Sequence, residues 1–277
     1  MSFGFENEAT VESSIIPVAQ FFNPSYSNNM GLGITEENAQ KANFKPDETF
    51  ELVDHVFGGS DTPTKVYLTK TPRLLVLTRQ KGLFMQRNEE KAPLEKFDSK
   101  VFKKPEYKAW GYRSILFIDK NNQPLSEIPF RLKLGGCAGQ SFRHNFDYGG
   151  NFCDGPTLFA YLFSEFKKQT KRVQEPVSFR SHMIFEPIFE KKKVGDKQKN
   201  WACVTTGYKK YPLQEGLISR DEKIVSLREF CDSWGSYKQI LREYEETKVD
   251  DIDAKTDSDG VIHDDRLEAQ LAEIDAF

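Results

Sequence analysis

The hydrophobic pattern of this chain changes period several times, and each change marks an element. Lys65 to Lys70 and Arg73 to Arg79 are short runs rich in Val, Leu and Tyr, separated by Thr71-Pro72, and predict two strands. Tyr112 to Asp119 predicts a third, residues 120–124 (Lys-Asn-Asn-Gln-Pro) a turn, and Ile128 to Leu134 the returning strand. That return strand alternates: Ile128, Phe130, Leu132 and Leu134 fall on one side, Arg131 and Lys133 on the other. One face of it is core and the other is basic. A glycine-rich stretch (Gly135, Gly136, Gly139, Gly149, Gly150, Gly155) then reads as a connection.

A helix follows from Pro156 to Thr170, with Leu158, Phe159, Leu162, Phe163 and Phe166 as its apolar stripe and Lys167, Lys168, Lys171 and Arg172 toward its carboxyl end. Ser178 to Glu190 and Trp201 to Thr206 predict a second hairpin, whose residues 191–200 turn with five lysines against one aspartate. Ser219-x-x-Glu222 has the form of a capping box. Ile224, Leu227, Cys231, Trp234, Tyr237, Leu241 and Tyr244 keep helical spacing behind it. The first 45 residues are rich in Ser, Asn, Gln and Glu and broken by Pro and Gly, which predicts a loosely ordered arm whose Phe21, Phe22 and Tyr26 could dock on the body. Residues 89–108, rich in lysine, predict a long exposed loop. The order of elements predicts an α+β, mainly β fold: an oligonucleotide-binding (OB)-like barrel or partly open sheet, with one internal helix and a C-terminal helix. The expected division is an arm over 1–45, a basic body over 46–245 and an acidic tail over 246–277.

Charge sharpens this division. Residues 52–242 carry 34 Lys+Arg against 21 Asp+Glu, a net of +13, whereas residues 243–277 carry 3 against 13, a net of −10. The whole-chain net of −3 conceals the segregation. The 23 Phe, 10 Tyr and 3 Trp concentrate apolar surface in rings. Four cysteines without a C-x-x-C pair suit a reducing compartment. With no apolar run of membrane-spanning length and no signal-like start, a cytoplasmic location without membrane contact is expected.

A protein that holds a single strand needs cations for phosphates and rings on which bases stack. Three clusters interleave the two. The first comprises Lys103, Lys104, Tyr107, Lys108, Trp110, Tyr112 and Arg113, and the second Arg131, Lys133, Phe142, Arg143, His144, Phe146 and Tyr148. The third is Trp201, Tyr208, Lys209, Lys210 and Tyr211. The competing reading makes the rings core and the lysines solvated surface.

The chain ends Glu-Ile-Asp-Ala-Phe, and Leu267, Leu271, Ile274 and Phe277 share one face if the segment turns helical. This end resembles the acidic tip of bacterial and phage single-stranded-DNA-binding proteins, though without the proline before the last residue of the bacterial type. The resemblance implies partner docking by Leu267, Leu271, Ile274, Asp275 and Phe277, with replication or recombination proteins as partners. Residues 121–125, 128–130, 136–142, 195–199 and 202–203 are similar to a family of uncharacterised proteins found in cyanobacteria and their mobile elements. That similarity spans about residues 65–210 and implies no activity.

Signatures of catalysis are weak. Gly135 to Ser141 is not a phosphate loop, because the glycines are one residue too close and Gln140 stands where the lysine belongs. Cys137, His144 and Cys153, with His182 or Cys203, lack the tight pairs of a zinc site. Asp98-Ser99-Lys100 and the stretch from Glu186 to Lys191 hold acid and lysine pairs of the kind nucleases use. The expectation is a non-enzymatic protein without cofactor or metal that binds single-stranded nucleic acid, DNA in particular. The alternatives are an interaction or scaffold protein that binds no nucleic acid, and a metal-dependent nuclease.

Overall fold

The computed structural model describes residues 16–24, 29–57, 62–79, 81–87, 94–103, 106–194 and 200–233. Strands β1 (Val18–Phe22) and β2 (Gly31–Thr35) lead into α1 (Glu36–Lys41). Next come β3 (Glu51–His55), β4 (Thr64–Thr69), β5 (Leu74–Val76), β6 (Lys81–Arg87), β7 (Glu95–Lys96), β8 (Tyr107–Phe117) and β9 (Phe130–Gly135). Helix α2 (Gly136–Arg143) runs into a π-helical turn over His144–Tyr148, and α3 spans Leu158–Thr170. Strands β10 (Ile184–Phe185), β11 (Pro187–Val194) and β12 (Asn200–Tyr208) precede α4 (Leu213–Gly216) and α5 (Glu222–Ser233).

Among the described residues, ten strands form one open mixed sheet in the order β10-β5-β8-β9-β1-β2-β4-β3, with β6 and β7 attached through β8. Of the two expected forms the open sheet is present and the barrel is not, and α1, α2 and α4 join the expected internal and C-terminal helices. A barrel needs its last strand to return to its first, whereas here the sheet ends at β10 on one side and β3 on the other, with β1 and β2, read from sequence as a loose arm, inserted between β9 and β4. β1 lies parallel to β9, with Ala19 opposite Leu132, and β2, β4 and β3 extend the sheet beyond it. β4 matches the strand expected over Lys65 to Lys70, while β1 and β2 are not expected from sequence; neighbouring strands on both sides of each supply what local propensity does not. β11 and β12 form a separate two-stranded ribbon.

The long strand β8 organises the molecule. Its first half pairs with β6, its second half with β5, and its other edge with β9. Successive side chains alternate between two faces. Ile115 and Phe117 of β8, with Phe130, Leu132 and Leu134 of β9, face inward on a core closed by Phe142, Phe146, Leu158, Leu162 and Phe185. The first part of the glycine-rich stretch, Gly136–Arg143, is helical, and it packs where a Cβ at Gly139 would overlap the Leu134 backbone. Glycine lets α2 fold directly back onto β9, at a cost in helix propensity that packing offsets.

α3 begins two residues later than Pro156 because Thr157 is the N-cap, its hydroxyl accepting the Ala160 N–H at 3.1 Å. At α5 the expected cap also shifts: Asp221 accepts the Lys223 N–H at 2.8 Å, and His182 Nε2 accepts the Asp221 N–H at 3.2 Å. The Ile224, Leu227 and Cys231 stripe packs on Leu75, Leu77, Leu116, Ile118 and Ile184, on the outer face of the sheet. The rest of that stripe and the acidic tail lie outside the described residues. No described helix is long and apolar enough to cross a membrane.

Candidate nucleic-acid interface

The outer face of β8 reads Lys108, Trp110, Tyr112, Ser114 and Leu116. The register sets Trp110 opposite Gly135, Tyr112 opposite Lys133 and Ser114 opposite Arg131. On the other side Phe84 stands opposite Trp110 and Gln86 opposite Lys108. Lys108, Trp110 and Tyr112 of the first cluster thus share one surface with Arg131 and Lys133 of the second. Among the described residues α5 packs on the Leu116 end of that face, and Leu94 packs on Trp110 at the other.

The cations lie on the rings. Lys133 Nζ is 4.5 Å and Lys108 Nζ 5.9 Å from the Trp110 ring centre, and the Arg131 guanidinium is 5.5 Å from that of Tyr112. Such contacts hold a cation by the ring quadrupole. Trp110 Nε1 donates to the Tyr112 hydroxyl at 3.2 Å. Gly135 makes room for this arrangement, since a Cβ there would stand 3.2 Å from Trp110 Cβ. Partial burial pushes the Lys108 ammonium below its usual pKa. Trp110 is only 4% exposed and packs with Phe84 and Leu94, so it supports the surface, and Tyr112, half-buried, is the ring nearest solvent.

Arg113 takes the opposite face. It is 4% exposed, its Nη2 donates to Asp147 at 2.8 Å, and its guanidinium lies 5.2 Å from the Phe146 ring. Arg180 donates to the other Asp147 oxygen at 3.0 Å and to Glu175 at 2.8 Å, and it covers the Phe159 ring at 3.7 Å. Arg143 is buried beside them, and burial followed by the nearby Arg113 charge pushes its pKa down to about 10. Arg113 and Arg143 therefore belong to the interior and cannot meet a ligand on the surface as expected. Tyr148, at the end of the π-helical turn, is 39% exposed.

The third sequence cluster divides. Trp201 is half-buried on the ribbon, with Lys191 and Lys193 over its ring, a pair the sequence reading assigned to a turn. Tyr208 is buried, its hydroxyl donating to the Pro156 carbonyl at 2.7 Å. Lys209 pairs with Glu186 at 3.5 Å and sits 4.8 Å from the Tyr211 ring; its pKa is raised by Tyr211 and then Glu186. Lys210 and Lys103 are exposed. Lys104 lies outside the described residues, as do Leu267, Leu271, Ile274, Asp275 and Phe277.

The acids of the nuclease alternative have structural partners. Glu186 accepts from Arg73 at 2.7 Å and from the Tyr211 hydroxyl at 2.7 Å, and Asp98 caps a turn through the Lys100 N–H at 2.8 Å. Among the described residues no three His, Cys, Asp or Glu gather as a metal site. The Cys203 thiol is pushed up to about 12 by burial. Sequence reasoning missed Phe84, Gln86 and Arg87 on β6. Arg87 lies over the Tyr107 ring at 5.5 Å and donates to its hydroxyl at 2.8 Å.

A family model described as a domain of unknown function, DUF5895, matches residues 13–217. That range begins well before residue 65 and takes in every strand described above, while α5 lies beyond it. No curated protein and no solved structure matches the chain.

Proposed function

We propose, from the premise that the chain belongs to the DUF5895 family of unknown function, that it binds single-stranded nucleic acid, DNA in particular, on the outer face of β8 and β9. The observation carrying this reading is the meeting of Lys108, Arg131 and Lys133 with Trp110 and Tyr112 on one surface. The three cations neutralise phosphates, and Tyr112 offers a ring face for a base once Arg131 turns from it to a phosphate. Arg113 and the buried arginines hold the sheet beneath and take no part in contact.

The acidic tail acts on the same face. It follows α5, which packs on the outer side of the sheet, and the 13 carboxylates of residues 243–277 compete for the cations as a tethered ligand. Its terminal phenylalanine recruits replication or recombination proteins, in keeping with its resemblance to the tips of single-stranded-DNA-binding proteins.

The test is fluorescence anisotropy of labelled single strands against the wild type and K108Q/R131Q/K133Q, with melting curves for both. The variant keeps its fold and loses affinity. A variant that binds as the wild type does overturns the assignment of the face.

A further inference from the structure

A second cationic surface lies away from that face. In the ribbon, Lys193 stands opposite Trp201, Lys192 opposite Ala202 and Lys191 opposite Cys203. Lys191 and Lys193 reach the Trp201 ring at 4.5 and 5.2 Å, while Lys192 emerges on the other side of its strand, and all three are exposed. The opposite edge is anchored: the Cys203 N–H donates to Asn23 Oδ1 at 2.9 Å. Val194, Ala202 and Val204 pack on Cys137 of α2 and on Phe152. β11 is thus the outward strand, and its three consecutive lysines give a narrow edge charged on both faces. Among the described residues Lys192 has a carboxylate partner in Glu190, at 3.8 Å.

Shape separates this edge from the flat face of β8 and β9. With one face on α2 and the β12 edge held, the ribbon presents its β11 edge, a narrow element of the kind that a duplex major groove, about 12 Å wide, admits. Lysines act there as point charges on the flanking phosphates, without bidentate base recognition. We infer that the β11–β12 ribbon binds double-stranded nucleic acid through Lys191, Lys192 and Lys193, so that the protein holds duplex there while the sheet face holds single strand. The inference rests on the preceding reading in taking nucleic acid as the ligand, but uses different residues and a different form of it.

The experiment measures binding of a blunt labelled duplex and of a labelled single strand to the full chain, to K191Q/K192Q/K193Q, and to K167Q/K168Q/K171Q. The last variant removes equal charge from exposed lysines of α3 and its end. The ribbon variant should lose tenfold or more in duplex affinity at low salt, with the slope of log affinity against log salt shallower by up to about 2.7. Its single-strand affinity should stay within about twofold of wild type, and K191R/K192R/K193R should restore duplex binding. Four results overturn the inference: no duplex binding by wild type, the same loss in the α3 variant, an equal loss on single strands, or unchanged duplex affinity. The last would leave the lysines as blunting of an exposed edge strand. Duplex binding that depends on the ribbon, with no single-strand binding by wild type, would keep the ribbon contact and remove the sheet-face reading.

Discussion

Arg113 and Arg131 sit on adjacent strands one residue out of step, and their fates are opposite. Arg113 turns inward, meets Asp147 at 2.8 Å and lies against Phe146. Arg131 turns outward onto Tyr112. The contrast teaches that the net charge of a basic body overstates the cations a ligand can reach. Arg113 and Arg180 share one buried carboxylate, so their charge is spent in holding α2, the π-helical turn and the segment before β10 against the sheet. Cations on the outer face, seated on rings, stay within reach of a phosphate.

The sharpest way to break the comparison is at Asp147. Asp147→Asn leaves two guanidiniums without their shared counter-charge, and removing one partner of a buried pair costs about 3 to 5 kcal/mol. Denaturant unfolding should show that loss; a stability unchanged within error would mean the inner cluster is not what fixes Arg113. Trp110→Ala should cost a similar amount, about 3 to 5 kcal/mol, because this indole is packed between Phe84 and Leu94. If melting is unaffected and only binding falls, Trp110 belongs to the contact surface instead of its support. Tyr112→Ala sharpens the other side: a binding loss of about 1 to 3 kcal/mol is expected if a base stacks there, at little cost in stability.

Smaller effects follow from the tail and from His55. Deleting residues 250–277 should tighten single-strand binding, most visibly at low salt, because a tethered competitor is removed, whereas removing Phe277 alone should leave that affinity nearly unchanged. Titrations at low and high salt check both. His55 stands 4.7 Å from the rings of Phe22 and Phe57, and burial holds its pKa below the usual 6.5. The unfolded chain therefore takes up the proton first on acidification. The stability His55 contributes is present above about pH 6.5 and is lost as pH falls through its depressed folded pKa. A melting series across that range should show a shallower acid decline for His55→Phe than for wild type.

Much of the outer face is legible in the sequence, since the alternation from Ile128 to Leu134 separates Arg131 and Lys133 from the core without any structure. The fate of Arg113 is not. Nothing local to it announces Asp147, which arrives from 34 positions away through a turn that follows a helix read as loop. Gly139 explains that misreading, because its lack of a side chain answers to the Leu134 backbone and not to local preference. Lys191 to Lys193 read as a turn by composition, and lie in a strand because Trp201, Ala202 and Cys203 pair with them. The strands before residue 45 were hidden for a related reason, their partners β9 and β4 being distant in sequence.

The central claim is that the outer face of β8 and β9 neutralises the phosphates of a single strand, and salt dependence tests it most directly. Each phosphate neutralised on a single strand contributes about −0.7 to the slope of log affinity against log salt. The slope for K108Q/R131Q/K133Q should therefore be shallower than that of wild type by about 2. Equal slopes in a folded variant, or no single-strand binding by wild type at low salt, would contradict the account.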